Sequence, residues 1–177
     1  MNDKLRLLVT SKCNNKCPLC CNNQFSTEQI PVVEGFSHYK EIDITGGEPL
    51  LFPEILLSLL QYIREETKYT GQWQTIYLYT NILPTPDKFA EILSYLDGIC
   101  YTPHDKVAAL HFVKHAKEVS DFVEGRCSLR LNIFPEVDSF IPDPERNFPY
   151  WKIKWMEWIE NCPVPAGEDF RRLDNLW

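Results

Sequence analysis

The amino-acid sequence predicts an α/β protein with one parallel β-sheet. Short apolar or β-branched runs alternate with longer segments whose apolar residues recur at helical spacing, which is the pattern of βαβ units with right-handed crossovers. Unusual polar residues follow most of the short runs, as expected at the carboxyl edge of such a sheet, where ligands bind. The predicted strands number about six. They cover residues 5–10, 41–45, 75–80, 99–102, 128–134 and 151–155.

Apolar stripes predict long crossover helices between the later strands. These helices cover residues 53–68, 86–98 and 105–123. Thr85 and Pro86 are residue types favoured at a helix start, and Gly125 is expected to end the last of these helices. The first crossover differs, because Pro31 and Gly35 interrupt any helix between the first two strands. We therefore expect a short or broken first crossover helix and a site that is more open on that side.

The composition fits a single globular domain. Hydrophobic side chains make up 44% and aromatic side chains 13% of the 177 residues, which is enough for one sizeable core. We expect one domain over residues 1–177, with a core at 4–156 and an irregular tail at 157–177. The net charge of -7 argues against a broad cationic surface for nucleic acid. The N-terminal residues fit neither a signal peptide nor a membrane helix, so we expect a cytoplasmic protein without a membrane partner.

Cys13, Cys17 and Cys20 form a C-x3-C-x2-C pattern directly after the first predicted strand. Thiolates at this spacing can converge on one inorganic centre but are poorly placed for disulfides with one another. A structural zinc site needs a fourth protein ligand, such as Cys21 or a histidine, and would make the chain a structural or interaction module. An iron–sulfur cluster with three thiolates instead keeps one iron open for another molecule.

A second motif, Gly46-Gly47-Glu48-Pro49, follows the second predicted strand. With both motifs in this order, the chain resembles the radical S-adenosylmethionine (SAM) superfamily over roughly residues 4–156. The resemblance implies a partial (βα)6 barrel in which the three cysteines ligate a [4Fe–4S] cluster and SAM binds the fourth iron. It also implies that an electron from a reductant such as flavodoxin or ferredoxin splits SAM, and that the resulting 5′-deoxyadenosyl radical abstracts hydrogen from the substrate.

Residues at the ends of the strands are the predicted contacts of SAM and substrate. The two glycines of segment 46–49 allow close backbone approach, so this segment is expected to bind the methionyl amine through its carbonyl groups and the glutamate. Further SAM contacts are expected from the strand-end residues Thr80, Asn81, Arg130 and Asn132. Arg130 and Asn132 share one face of their strand, so both are expected in the site or both outside it. His104 is the tentative substrate contact.

The other cysteines and a cluster of aromatic residues could belong either to the site or to the core. Cys100 and Cys127 lie at the opposite edge of the sheet and are expected in the core. Cys21 is expected to point away from the site, and Cys162 in the tail stays open between site and bystander. For the aromatic cluster, core packing is favoured over a stacking platform. The cluster comprises Phe148, Tyr150, Trp151, Trp155 and Trp158.

The substrate is not assigned by the sequence, and both peptides or proteins and nucleoside precursors stay open. Among compact members of the superfamily, the glycyl-radical activases and the 7-carboxy-7-deazaguanine synthases are similar in size. Thr102-Pro103-His104 only loosely resembles the corresponding strand end of the deazaguanine synthases, and the cysteine loop lacks the aromatic residues common there. Both remain alternatives.

Overall fold

The computed structural model describes residues 3–23, 25–159 and 164–177 of the chain. Its strands form a single seven-stranded sheet in the order β6-β5-β4-β3-β2-β1-β7, and all neighbouring strands are parallel. The strands are β1 (Lys4–Thr10), β2 (Glu41–Gly46), β3 (Thr75–Thr80), β4 (Gly98–Tyr101), β5 (Ser128–Ile133), β6 (Trp151–Trp155) and β7 (Glu168–Arg172). The prediction of an α/β protein with a parallel sheet is therefore confirmed, with one strand more than expected.

The crossover helices form where apolar stripes and end signals coincide in the sequence. The helices are α1 (Pro53–Thr70), α2 (Pro86–Tyr95), α3 (Lys106–Val123) and the single-turn helices α4 (Pro135–Asp138) and α5 (Pro144–Asn147). The side chain of Asp105 caps α3 by accepting a hydrogen bond from the Ala108 amide at 2.8 Å. Gly71, with a φ of 70°, ends α1. Helix α2 ends earlier than predicted, and Gly98 begins β4 instead.

The first crossover contains only two 3-10 turns among its described residues, at Cys21–Asn23 and Thr27–Gln29. The prediction of a short or broken helix is thus confirmed. The same segment contributes Leu19, Asn22 and Phe25 to the wall of a cleft at the carboxyl ends of the strands. Residues of this irregular segment therefore line the cleft, and the greater openness expected on this side stays a prediction.

The tail contains a strand, which corrects the prediction of an irregular segment at residues 157–177. Strand β7 pairs with β1 from Lys4–Glu168 to Leu8–Arg172 and becomes one edge of the sheet. Arg6 Nε donates to Glu168 Oε2 at 2.5 Å, and Lys4 Nζ lies 3.1 Å from Glu168 Oε1. Because these charges are matched across the strand pair, a segment without an apolar run can still form a strand.

The two faces of the sheet differ in chemistry. One face packs against the helices through buried residues such as Leu7, Ile44 and Leu78, which form a single core with Leu60 of α1 and Phe112 of α3. We call the opposite side the cleft face, because its residues near the carboxyl ends of the strands line a cleft. No helix within the described ranges is long and apolar enough to cross a membrane.

Candidate functional site

A cleft of about 370 Å³ lies on the cleft face at the carboxyl ends of the strands. It brings together most of the residues that the sequence predicts for a site: Cys13, Cys17, Cys20, Gly46, Gly47, Asn81, His104 and Asn132. The remaining predicted residues, Glu48, Pro49, Thr80 and Arg130, are not among those that line it. The position at the strand ends is that of ligand sites in parallel α/β proteins.

The cysteine loop that follows β1 presents three free thiols to this cleft. Cys13 is exposed, whereas Cys17 and Cys20 are half-buried. Cys13 Sγ accepts hydrogen bonds from the Asn15 amide at 3.4 Å and from Asn81 Nδ2 at 3.6 Å. Burial, and then the neighbouring thiols of Cys20 and Cys13, raise the pKa of Cys17 to about 11. The thiols therefore lie close enough to influence one another electrostatically.

Within the part of the chain that the structure describes, no three His, Cys, Asp or Glu side chains are grouped closely enough to hold a metal ion. The three thiols share a cleft but do not converge on a point. Their number and their soft sulfur donors fit an iron–sulfur cluster, and residues 11–20 form neither a helix nor a strand that would oppose closing around one. The donor set therefore fits the implied cofactor in chemistry.

The glycines after β2 are required because this segment packs backbone to backbone against the start of the cysteine loop. The Gly47 amide donates to the Thr10 carbonyl at 2.7 Å, and the Glu48 amide donates to the Lys12 carbonyl at 2.8 Å. A Cβ atom on Gly47 would lie 1.9 Å from the Lys12 oxygen. Gly46 has a φ of 136°, which non-glycine residues rarely adopt. The two predicted motifs are thus joined through the main chain.

Glu48 holds this segment to the end of β3 and does not face the cleft. Its side chain is fully buried; Oε1 accepts from the Leu50 amide at 2.9 Å and from Thr80 Oγ1 at 2.8 Å, and Oε2 accepts from the Asn81 amide at 2.7 Å. Burial raises the pKa of Glu48 above its ordinary value, against the opposing effect of these hydrogen bonds. Glu48 and Thr80 therefore position Asn81 and the glycines, whereas the sequence assigned both to direct SAM contact.

Asn81 and Asn132 do reach the cleft, as their places at strand ends predict. Asn81 links Glu48, through its main chain, to Cys13, through its side chain. Asn132 Nδ2 donates to Thr102 Oγ1 at 3.0 Å, so its amide oxygen is available to another donor.

Arg130 shares the strand face of Asn132 but does not line the cleft. Its guanidinium lies 4.2 Å from the ring centre of Tyr77, and Nη1 lies 4.0 Å from Cys100 Sγ. Arg130 lies level with Tyr79, which lines the cleft, but its guanidinium turns away onto Tyr77. That Arg130 and Asn132 both contact SAM stays a prediction.

His104 belongs to an aromatic wall of the cleft. Its ring stacks on Trp158 with centroids 5.7 Å apart, and Phe134 stacks on Trp158 at 4.0 Å. Its Nδ1 is buried and has no hydrogen-bond partner among the described residues, and burial lowers the pKa of His104, which favours the neutral imidazole. The expected aromatic cluster thus divides. Trp158 faces the cleft, whereas Phe148 and Trp151 pack on Phe112 in the core.

Arg6, Tyr79 and Phe170 also line the cleft and are absent from the predicted site. Arg6 lies in a charged network with Asp43, Glu168 and Lys4, in which the fully buried Asp43 is 3.0 Å from Lys4 Nζ and 3.6 Å from Arg6 Nη2. The cations at alternate positions of the first strand, Lys4 and Arg6, were the sequence signal for this network. The partners of that charge lie far away in the sequence, and the signal could not be interpreted without them.

Cys100 and Cys127 are buried, as predicted. Cys162 lies outside the described residues, so its role stays open.

Neither the models of known protein families nor the curated protein sequences gave a match to this chain.

Proposed function

We propose that the chain is a radical SAM enzyme with a partial (βα)6 barrel of that type, in which Cys13, Cys17 and Cys20 hold a [4Fe–4S] cluster. One observation carries the proposal. The cysteine loop and the Gly46-Gly47 segment are hydrogen-bonded to each other through the main chain and line one cleft at the carboxyl edge of a parallel sheet. A zinc module has no need for the second segment.

When bound by Cys13, Cys17 and Cys20, the cluster would supply one-electron reductive cleavage of SAM, with the electron from flavodoxin or ferredoxin, and thereby hydrogen abstraction from the substrate. The residues of this chain would bind and orient the cluster and SAM. The glycines let main-chain carbonyl groups approach a methionyl amine, and Asn81 and Asn132 offer amide groups at the same edge. Glu48 orients Asn81 by accepting a hydrogen bond from its backbone amide, and the Asn81 side chain in turn contacts Cys13 of the cysteine loop.

The aromatic wall has a separate role in this proposal. Phe134, Trp158 and His104 exclude water from one side of the cleft and offer flat surfaces to a ring. The neutral imidazole of His104 can exchange a hydrogen bond with substrate without adding charge. We place the enzyme in the cytoplasm, where thiols stay reduced.

Anaerobic purification and cluster reconstitution test the proposal. We expect brown protein with about four irons per chain, and formation of 5′-deoxyadenosine after addition of SAM and a strong reductant. The Cys17→Ala variant should lose both, whereas the matched Cys127→Ala variant, which changes a buried thiol remote from the cleft, should keep both. Colourless protein with stoichiometric zinc, or SAM cleavage by Cys17→Ala, would contradict the proposal.

A further inference from the structure

The cleft face carries three cations beside each other at the β6 edge of the sheet. Arg130 of β5 is in register with Lys152 of β6, and Asn132 is in register with Lys154. Residues paired in this way in a parallel sheet project from the same face. Lys152 and Lys154 are exposed, and Arg130 is half-buried over the ring of Tyr77.

These cations have no carboxylate partner among the described residues. No Asp or Glu oxygen of that part of the chain lies within 4.0 Å of Arg130, Lys152 or Lys154. On the other side of the same face, Lys4 and Arg6 are both paired with acidic groups. The strip is therefore a local concentration of positive charge in a chain of net charge -7.

The strip has an energetic cost that a bound anion would remove. Like charges directly opposite on neighbouring strands destabilise a sheet, and this applies to Arg130 and Lys152. The guanidinium is also held in place by its stacking on Tyr77, so little flexibility is lost when it binds a ligand. Both properties favour an anion that contacts two or three of the cations at once.

The strip leads to the functional cleft. Asn132 lines the cleft and is the register partner of Lys154, whereas Arg130 lies one strand repeat away, about 7 Å along β5. Strand β6 is the last strand of the sheet on this side. Glu157, which lines the cleft beyond β6, would repel an anionic group. The charged end of a ligand is therefore expected at Arg130 and Lys152, with its uncharged end in the cleft.

The chemistry favours a phosphate group. A phosphate monoester carries between one and two negative charges near neutral pH and has three acceptor oxygens, which suits a fork-shaped guanidinium beside two ammonium groups. The strip spans only two strands, and the net charge of the chain is negative, so a nucleic acid backbone is disfavoured.

We propose that Arg130, Lys152 and Lys154 bind the phosphate group of a small phosphorylated substrate whose reacting end enters the cleft beside Asn132 and His104. This inference rests on the proposed function for the reaction, but the anion site can be measured separately. It also narrows the substrate to a small molecule.

Titration of the full chain with inorganic phosphate at low ionic strength tests the site, with amide chemical shifts of the ¹⁵N-labelled protein as the readout. We compare the Lys152→Gln/Lys154→Gln variant with a control of equal charge change, Lys88→Gln/Lys114→Gln, in which both lysines are exposed and have no described ion pair. The first variant should bind phosphate at least about tenfold more weakly than the wild type. The control should change the dissociation constant less than about twofold. All four lysines are exposed, so we expect both variants to fold. Amide spectra that match the wild type away from the substituted positions will confirm this.

Equal weakening in both variants would overturn the inference, since general charge would then explain binding. Failure of the wild type to saturate with phosphate, or equally tight binding of acetate, would also overturn it. The titration is done with and without the reconstituted cluster. If the protein binds phosphate but neither assembles a cluster nor cleaves SAM, the proposed function is contradicted and this inference stands. If the protein cleaves SAM but does not bind phosphate, this inference is contradicted and the proposed function stands.

Discussion

Replacement of Glu48 by alanine removes the acceptor that joins the glycine segment to β3. The amides of Leu50 and Asn81 then lose their partner, whereas the Thr80 hydroxyl keeps a second acceptor, the Ile82 carbonyl at 2.9 Å. A buried donor without a partner costs about 1–3 kcal/mol, so the two amides together predict a loss of about 2–6 kcal/mol in the free energy of unfolding. A domain has roughly 5–15 kcal/mol in total, so the variant should be severely destabilised.

The Glu48→Gln variant refines this test. One carboxylate oxygen is kept, and an amide NH₂ replaces the other, so at least one backbone amide loses its acceptor and the NH₂ adds two N–H donors to a buried site. Each donor left unpaired costs about 1–3 kcal/mol. Burial raises the pKa of Glu48 above 4.5, so the folded protein binds a proton more readily than the unfolded chain. The wild type therefore loses stability as pH rises above 4.5, and glutamine does not titrate. The difference between wild type and Glu48→Gln should consequently narrow as pH increases from 4.5 towards neutrality.

Guanidinium unfolding followed by tryptophan fluorescence measures both effects. Glu91→Ala and Glu91→Gln are the matched controls, because Glu91 is exposed on α2 and its carboxylate makes no described hydrogen bond. We expect these controls to stay within about 0.5 kcal/mol of the wild type. The reasoning is refuted if Glu48→Ala loses less than about 1 kcal/mol, or if the Glu48→Gln difference widens with pH.

Three further predictions follow. Gly47→Ala places a methyl carbon 1.9 Å from a backbone carbonyl of the cysteine loop, so the 5′-deoxyadenosine formation that we propose for this protein should fall about 100-fold, and full activity would contradict the packing. Glu168→Gln removes the negative charge that Arg6 contacts at 2.5 Å, which leaves Arg6 only the Asp43 carboxylate at 3.6 Å, and should cost about 3 kcal/mol in urea unfolding, against less than about 1 kcal/mol for Asp121→Asn in an exposed pair; similar losses would argue against this role. Burial lowers the pKa of His104 below 6.5, so the stability of the wild type should fall more steeply than that of His104→Gln as pH falls below 6.5. Equal slopes of melting temperature against pH would contradict this effect of His104.

The positions of strands and motifs could be predicted because they depend on local signals. The apolar run of β1, the glycines after β2 and the amphipathic stripe of α3 each encode their structure within a few neighbouring residues. Placing those elements in parallel order then brings Cys13 and Asn81 to the same edge.

Strand β7 and the roles of Glu48 and Arg130 could not be predicted, because they depend on partners distant in sequence. The Glu-Asp-Phe-Arg-Arg run of β7 has no strand pattern until Lys4 and Arg6 neutralise Glu168. Glu48 is adjacent to the glycines in sequence, yet its carboxylate turns towards the end of β3. A position at a strand end predicts the region that a residue occupies, but it does not predict which hydrogen-bond partners its side chain finds there.

The pairing of β1 with β7 has a consequence for the order in which the protein is made. Arg6 and Glu168 are 162 positions apart, so β1 reaches its final environment only after nearly all of the described chain has been synthesised. At about 5–20 residues per second, translation between these two residues takes roughly 8–30 s. The thiols of the cysteine loop leave the ribosome well before strand β7, which pairs with β1. We therefore expect the nascent chain to expose these thiols to oxygen and to stray metal ions throughout its synthesis.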